Sequence, residues 1–245
     1  MKPILIRGKA AAMPLICAPL VGGTREAVLA EAKTAFGAGA DIVEWRVDHF
    51  QDFAAVLETG RALREVGLPI LFTRRSAAEG GQKISISEKQ VVELYAEVCA
   101  AGFADLVDWE MALPQIEKVR EHSRRHGVGL VCSFHDFERT PPLADLAAHY
   151  GRAQELGGDV AKVSVMARGP EDVLTLLAAT QQASKALSLP LIGVSMGPHG
   201  ALSRTIGFAF GSALTFGVAA GASAPGQMPI AELRAAIEIA RKALG

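Results

Sequence analysis

The sequence predicts a (β/α)8 barrel. Two observations carry the prediction. Short, mostly continuous apolar runs alternate with segments of helical period, as expected for parallel strands buried on both faces. Eight such strand-then-helix units fill the 245 residues, close to the roughly 250 that this architecture takes. The competing arrangement is a doubly wound open sheet. No GxGxxG follows the first strand, which weighs against its dinucleotide-binding form.

The strands are expected at Leu15–Cys17, Asp41–Val47, Ile70–Thr73, Asp105–Trp109, Gly129–Ser133, Val160–Ser164, Leu191–Ser195 and Ala213–Phe216. Between them, Ser87 and Gln90 form a capping-box pattern ahead of Val91, Leu94, Tyr95 and Val98, which share one helical face. Pro170 suits the first position of a helix. Ile230, Leu233, Ile237, Ala240 and Leu244 recur at spacings of three and four, so the last helix is amphipathic, with Pro229 opening it. The first dozen residues precede the first strand and are expected to close the bottom of the barrel. No linker, low-complexity stretch or repeat divides the chain, so residues 1–245 read as a single catalytic domain.

Half the residues are hydrophobic and 21% are charged, the balance of an ordinary globular protein. Neither disorder nor a fibrous repeat is expected. Twenty-five basic residues against 26 acidic ones leave a net charge of −1, which argues against a nucleic-acid or polyanion binder. Cys17, Cys99 and Cys132 are far apart and form no CxxC, so a structural zinc site is not expected. Reduced thiols and the lack of a signal-peptide pattern point to the cytoplasm. The stretch from Thr205 to Ala231 carries no charge, but glycines at 207, 211, 217, 221 and 226 and Pro225 interrupt it. A buried strand with loops on both sides fits it better than a membrane span.

In such a barrel the chemistry sits at the C-terminal ends of the strands and in the loops that follow. Lys162 lies inside the apolar run Val160-Ala161-Lys162-Val163-Ser164. A lysine is rarely buried there without a partner or a task. It is either a structural ion pair or an amine nucleophile, activated by a dry pocket or by nearby cations. His135 follows the neighbouring strand, in Ser133-Phe134-His135-Asp136. A lone histidine is more often structural, but one strand from Lys162 it reads as an acid/base group. His122, His126 and His149 fall on helices and read as surface residues; His49 and His199 lie in strand-end loops. Glu44 and Arg46 are two apart on one strand and share a face. Arg75 follows the third strand and Arg204 the seventh. Each alone is more often a salt bridge. Together they suggest a site for a small, oxygen-rich anion such as a carboxylate. The small, uncharged loop from Gly221 to Gln227 reads as a connection or as a lid carrying Ser223 and Gln227.

These pieces resemble the type I 3-dehydroquinate dehydratase family over nearly the whole chain. The resemblance rests on Glu44-Trp45-Arg46-Val47-Asp48, on Thr73-Arg74-Arg75 with Glu79-Gly80-Gly81, and on Ser133-Phe134-His135-Asp136-Phe137 with Thr140-Pro141. It continues through Ala161-Lys162, Ser195-Met196-Gly197 with Ser203-Arg204, and Ser223-Ala224-Pro225-Gly226-Gln227. It implies a lyase that converts 3-dehydroquinate to 3-dehydroshikimate and water through a lysine imine, a step of the shikimate pathway. Lys162 would form the imine and His135 would move the protons. Glu79 would position or tune His135, and Arg204 would hold the substrate carboxylate. Glu44, Arg46, Arg75, Ser223 and Gln227 would bind the rest of the substrate. No metal or added cofactor and no nucleic-acid or membrane partner is implied; a homodimer is. Trp45 stands where a smaller aliphatic residue is usual and should point into the helix layer. Phe134 replaces a common tyrosine.

The chemistry agrees with the resemblance. A protonated imine makes the adjacent carbon acidic and turns the carbanion into an enamine, which expels a β-hydroxyl once an acid protonates it. An amine, one acid/base group and an anion clamp are needed. A class I aldolase would also use a strand-six lysine, but no phosphate-cradling glycine loop follows the seventh strand. A barrel kept only for binding would not need both Lys162 and His135.

Overall fold

A computed structural model describes residues 1–11, 14–219 and 226–244. The strands are β1 (Leu15–Leu20), β2 (Ile42–Arg46), β3 (Ile70–Thr73), β4 (Leu106–Glu110), β5 (Gly129–Asp136), β6 (Val160–Met166), β7 (Leu191–Met196) and β8 (Leu214–Val218). The helices are α1 (Arg25–Gly37), α2 (Val56–Arg64), α3 (Glu88–Ala101), α4 (Ile116–Arg125), α5 (Leu143–Glu155), α6 (Pro170–Ala186), α7 (Ala201–Ile206) and α8 (Ile230–Leu244). Each of β1 to β6 pairs in parallel with the next, and β8 pairs with β1. The ring closes between β7 and β8, where Leu191 bridges Ser212 and the Ala213 N–H donates to the Leu191 carbonyl at 2.7 Å.

Period-two alternation sorts each strand into an inner and an outer row. The inner row begins apolar: Leu15, Ile42, Leu71, Leu106, Val131, Val160, Ile192 and Leu214 form one buried cluster. Ile4 joins this cluster, so the N-terminal segment does plug the bottom. A two-residue hairpin, Leu5–Ile6 against Lys9–Ala10, follows it, and Arg7 ties it to Asp105 at 2.6 Å. Towards the C-terminal ends the same inner rows turn polar. They read Glu44 and Arg46 on β2, Thr73 on β3, Asp108 and Glu110 on β4, Ser133 and His135 on β5, and Lys162 and Ser164 on β6. One end of the barrel is therefore a plug and the other a polar mouth.

The outer rows pack against the helices. Trp45 is fully buried there, edge-on to Phe50 and Phe72 with ring centroids 5.4 and 5.6 Å away. It faces away from Glu44 and Arg46, as its parity requires. Ser87 and Gln90 form the capping box of α3, and Pro170 opens α6. Three local expectations change. β5 and β6 run further than the apolar pattern suggests, because His135 pairs with Ser164 and Asp136 with Val165. The apolar seam of α8 ends at Ile237, and Leu244 is exposed. His149 is not a plain surface residue: its ring stacks on Phe134 with centroids 3.7 Å apart. No helix among the described residues is long and apolar enough to cross a membrane.

Candidate active site

The polar mouth holds a small cavity of about 50 Å³, lined by Glu44, Arg46, Arg75, Glu79, His135, Lys162, Arg204 and Gln227. Eight of the nine residues singled out in the sequence thus meet in one place. The ninth, Ser223, lies outside the described residues. His49 and His199 do not line the cavity.

Lys162 is buried at 4% exposure. Its Nζ donates to Glu44 Oε1 at 3.0 Å and to Asp108 Oδ2 at 3.4 Å, and stands 4.8 Å from the centre of the Phe216 ring. The sequence left open a carboxylate ion pair, a dry pocket and nearby cations as the setting of this amine. It is buried, and its immediate charged partners are two carboxylates. Thr73 also donates to Glu44 Oε1, at 3.1 Å, which fixes that oxygen between strands.

Arg75 lies under the cavity in a nest of acids. Nη2 donates to Asp108 at 2.7 Å, and Nη1 to Ser133 Oγ at 2.9 Å and Glu110 at 3.2 Å, with Glu79 3.6 Å away. Burial would push this guanidinium down, but Asp108, Glu110, Glu44 and Glu79 outweigh it and push it up. Burial likewise opposes the charge on Asp108, but Arg75, Lys162 and Ser133 hold its carboxyl below the usual range. Arg75 therefore organises carboxylates as well as facing the cavity.

His135 Nδ1 lies 2.8 Å from Glu79 Oε2. Burial first, then the positive charges of Arg75, Lys162 and Arg46, push the imidazole well below its ordinary value. Burial and the Glu110 carboxylate push Glu79 up to about 8, against the pull of Arg75. Both shifts favour an uncharged pair over an ion pair.

The loop that carries Glu79 is clamped at both ends by Asp48. Its carboxylate accepts from the backbone N–H of Arg75 at 3.2 Å and of Gln82 at 3.1 Å, and takes a two-bond grip from Arg46 at 2.8 Å. Arg46 thereby stays beside the cavity. Two glycines let the loop fold. Gly80 has φ +82° beneath the Phe137 ring, and a Cβ on Gly81 would fall 2.0 Å from the Arg75 carbonyl oxygen. Arg204 reaches the cavity from α7, its Nη1 3.5 Å from the Phe216 carbonyl. Burial pushes its guanidinium down to about 10, so it remains a cation at neutral pH.

A model of type I 3-dehydroquinase matches residues 16–243. The chain belongs to the type I 3-dehydroquinase family. It is 50% identical to the 3-dehydroquinate dehydratase of Albidiferax ferrireducens, across 100% of this chain and 96% of that one. The crystal structure of 3-dehydroquinate dehydratase from Geobacillus kaustophilus superposes with a TM-score of 0.95 at 42% identity, covering 98% of this chain and 97% of that one. A type I enzyme from Clostridium difficile, solved with covalently modified comenic acid, gives 0.92 at 35% identity over 100% and 99% of the two chains. A type I 3-dehydroquinase is a hydro-lyase that dehydrates 3-dehydroquinate in the shikimate pathway.

Several site residues lay beyond the sequence reading: Asp48, Asp108, Glu110, Ser76 and Ser133. Asp108 and Glu110 carry the same signal as Glu44 and Arg46, polar residues two apart in an apolar strand, so the same parity filter applied to β4 finds them.

Proposed function

We propose that this 3-dehydroquinase works through an imine on Lys162, with His135 moving the protons. The observation that carries this reading is the juxtaposition in one buried cavity of a lysine amine held by two carboxylates and a histidine held by a third. The amine attacks the C3 ketone after passing a proton towards Glu44 Oε1. Water leaves and a protonated imine forms, its positive charge facing Glu44 and Asp108. The imine draws electrons from C2, and His135 Nε2 accepts the C2 proton. The resulting enamine expels the C1 hydroxyl, to which His135 returns the proton, so one water is lost overall. Hydrolysis of the imine then frees 3-dehydroshikimate and the lysine.

His135 can accept a proton at Nε2 only when Nδ1 carries the ring hydrogen. That form needs Glu79 as a carboxylate. A protonated Glu79 donates to Nδ1 instead and leaves Nε2 as an N–H. Arg204 is the clamp for the substrate carboxylate, which in turn would raise the guanidinium from its depressed value. Arg46, Arg75, Gln227 and Ser223 complete the binding of ring hydroxyls. The proposal extends to residues 1–245 as one catalytic domain, a homodimer, and residence in the cytoplasm.

Formation of the conjugated enone, followed by its ultraviolet absorbance, tests the assignment. Lys162→Ala should give no detectable turnover. His135→Asn should fold and run about 10²–10⁴ times slower. A His135→Asn enzyme at the native rate would remove histidine from the mechanism.

A further inference from the structure

Glu110 ends β4 with 1% exposure and does not line the cavity, yet both its oxygens are engaged. Oε1 accepts from the Ser76 N–H at 2.6 Å and Oε2 from the Ser76 hydroxyl at 2.5 Å. Ser76 caps the single turn Ala77–Glu79: its Oγ accepts from the Glu79 N–H at 3.3 Å, and its carbonyl from Glu79 at 3.1 Å and Gly81 at 2.8 Å. Glu79 then grips His135. One continuous chain of hydrogen bonds runs from Glu110 through Ser76 and Glu79 to the imidazole.

We propose that Glu110 is a positioning residue for proton transfer, acting on His135 through Ser76 and Glu79 without touching the substrate. It does so in two ways, by fixing the turn that aims Glu79 and by placing a negative charge behind it. The inference rests on the reading of His135 as the acid/base group.

The charged groups facing Glu79 come from three sides: Glu110 and Asp108 from β4, Arg75 from the end of β3, and His135 from β5. His135 in turn faces Arg75, Lys162 and Arg46. After burial, Glu110 is the largest influence that keeps Glu79 protonated. Its charge also offsets that of Arg75, at 3.2 Å. An amide at position 110 removes the repulsion and leaves Arg75 less neutralised. Both changes push Glu79 the same way, towards ionising at lower pH. The His135 form that accepts a proton would then be reached at lower pH.

Glu110→Gln is the informative variant. Its carbonyl still accepts from the Ser76 N–H and its amide can donate to the Ser76 hydroxyl, so the turn keeps its support while the charge is lost. The measurement is kcat/KM from about pH 5 to about pH 10, where the free enzyme's acid/base groups appear. Native enzyme should rise through an apparent value near that of Glu79. Glu110→Gln should reach half its plateau at least one pH unit lower, a tenfold change in the proton equilibrium. Ser76→Ala, which keeps the charge and loosens the turn, should lower kcat about tenfold or more and leave the midpoint in place. A Glu110→Gln midpoint at the native pH, or Ser76→Ala with native kcat, overturns the proposal. His135→Asn in the same series separates the two ideas: if it retains native kcat/KM, the failure belongs to the histidine assignment and not to Glu110.

Discussion

Glu44 Oε1 stands 3.0 Å from Lys162 Nζ, a contact that crosses the barrel interior from β2 to β6. In the proposed mechanism this makes the glutamate more than a substrate contact. An ammonium has no lone pair, so the amine must shed a proton before it attacks, and this oxygen is the nearest acceptor. In that mechanism the same charge then stabilises the protonated imine. Glu44→Gln keeps the acceptor oxygen and removes the charge. It should slow imine formation about 10²-fold, within the usual worth of a positioned proton acceptor. Rapid-quench borohydride trapping measures that step directly, and an unchanged trapping rate would confine Glu44 to binding.

The setting of Glu79 carries a cost in stability. Its folded-state value, about 8, lies above the ordinary glutamate value of 4.5. A carboxyl raised by folding contributes stability below about pH 4.5 and loses it as the pH climbs through about 8. Glu79→Gln cannot ionise and escapes the loss. It should therefore unfold at a higher temperature than native enzyme at about pH 9, by at least a few degrees. The gap should shrink at about pH 4, where both side chains are neutral. Calorimetry at the two pH values checks the sign; a gap that is larger in acid would reverse it.

Arg204 should act on affinity through shape as well as charge. A guanidinium can hold a carboxylate by two parallel bonds, and an ammonium cannot. Arg204→Lys should lower kcat/KM for 3-dehydroquinate about tenfold or more, and Arg204→Ala further, at about 10² or beyond. Steady-state kinetics of the three proteins gives the order. Equal values for the native and Arg204→Lys enzymes would show that charge alone suffices.

The second glycine of Glu79-Gly80-Gly81 has no room for a methyl group, since the Arg75 carbonyl oxygen would lie 2.0 Å from it. Gly81→Ala must shift backbone rather than a flexible side chain. It should cost about 1–3 kcal/mol of stability and displace Glu79, so that kcat falls along with Tm. Native kcat in a destabilised Gly81→Ala protein would mean that the loop tolerates the shift without moving Glu79.

Much of this arrangement is legible before any coordinates. Lys162 and His135 stand out because a charged or titratable residue interrupts an apolar strand, and Glu44 and Arg46 because their spacing puts them on one face. The same reasoning extends to Asp108 and Glu110, whose alternation in Leu106-Val107-Asp108-Trp109-Glu110 is equally regular. What spacing along one strand cannot show is pairing across strands. That Arg75 is ringed by acids depends on the register that sets Glu110 beside Ser133 and Thr73 beside Asp108. The hairpin at residues 5–10 is also hidden, because strands of two residues are too short to display a period. Asp48 lies within a quoted motif, yet its clamp on the loop is made to backbone N–H groups, which nearly every residue has.

In the proposed mechanism one lysine carries the chemistry. Borohydride reduction of the native enzyme during turnover of 3-dehydroquinate, followed by proteolysis and peptide mass mapping, tests it most directly. A single reduced adduct is expected on the peptide containing Lys162, absent from Lys162→Ala. An adduct on any other lysine, or complete absence of an adduct in an enzyme that is turning over, would contradict it.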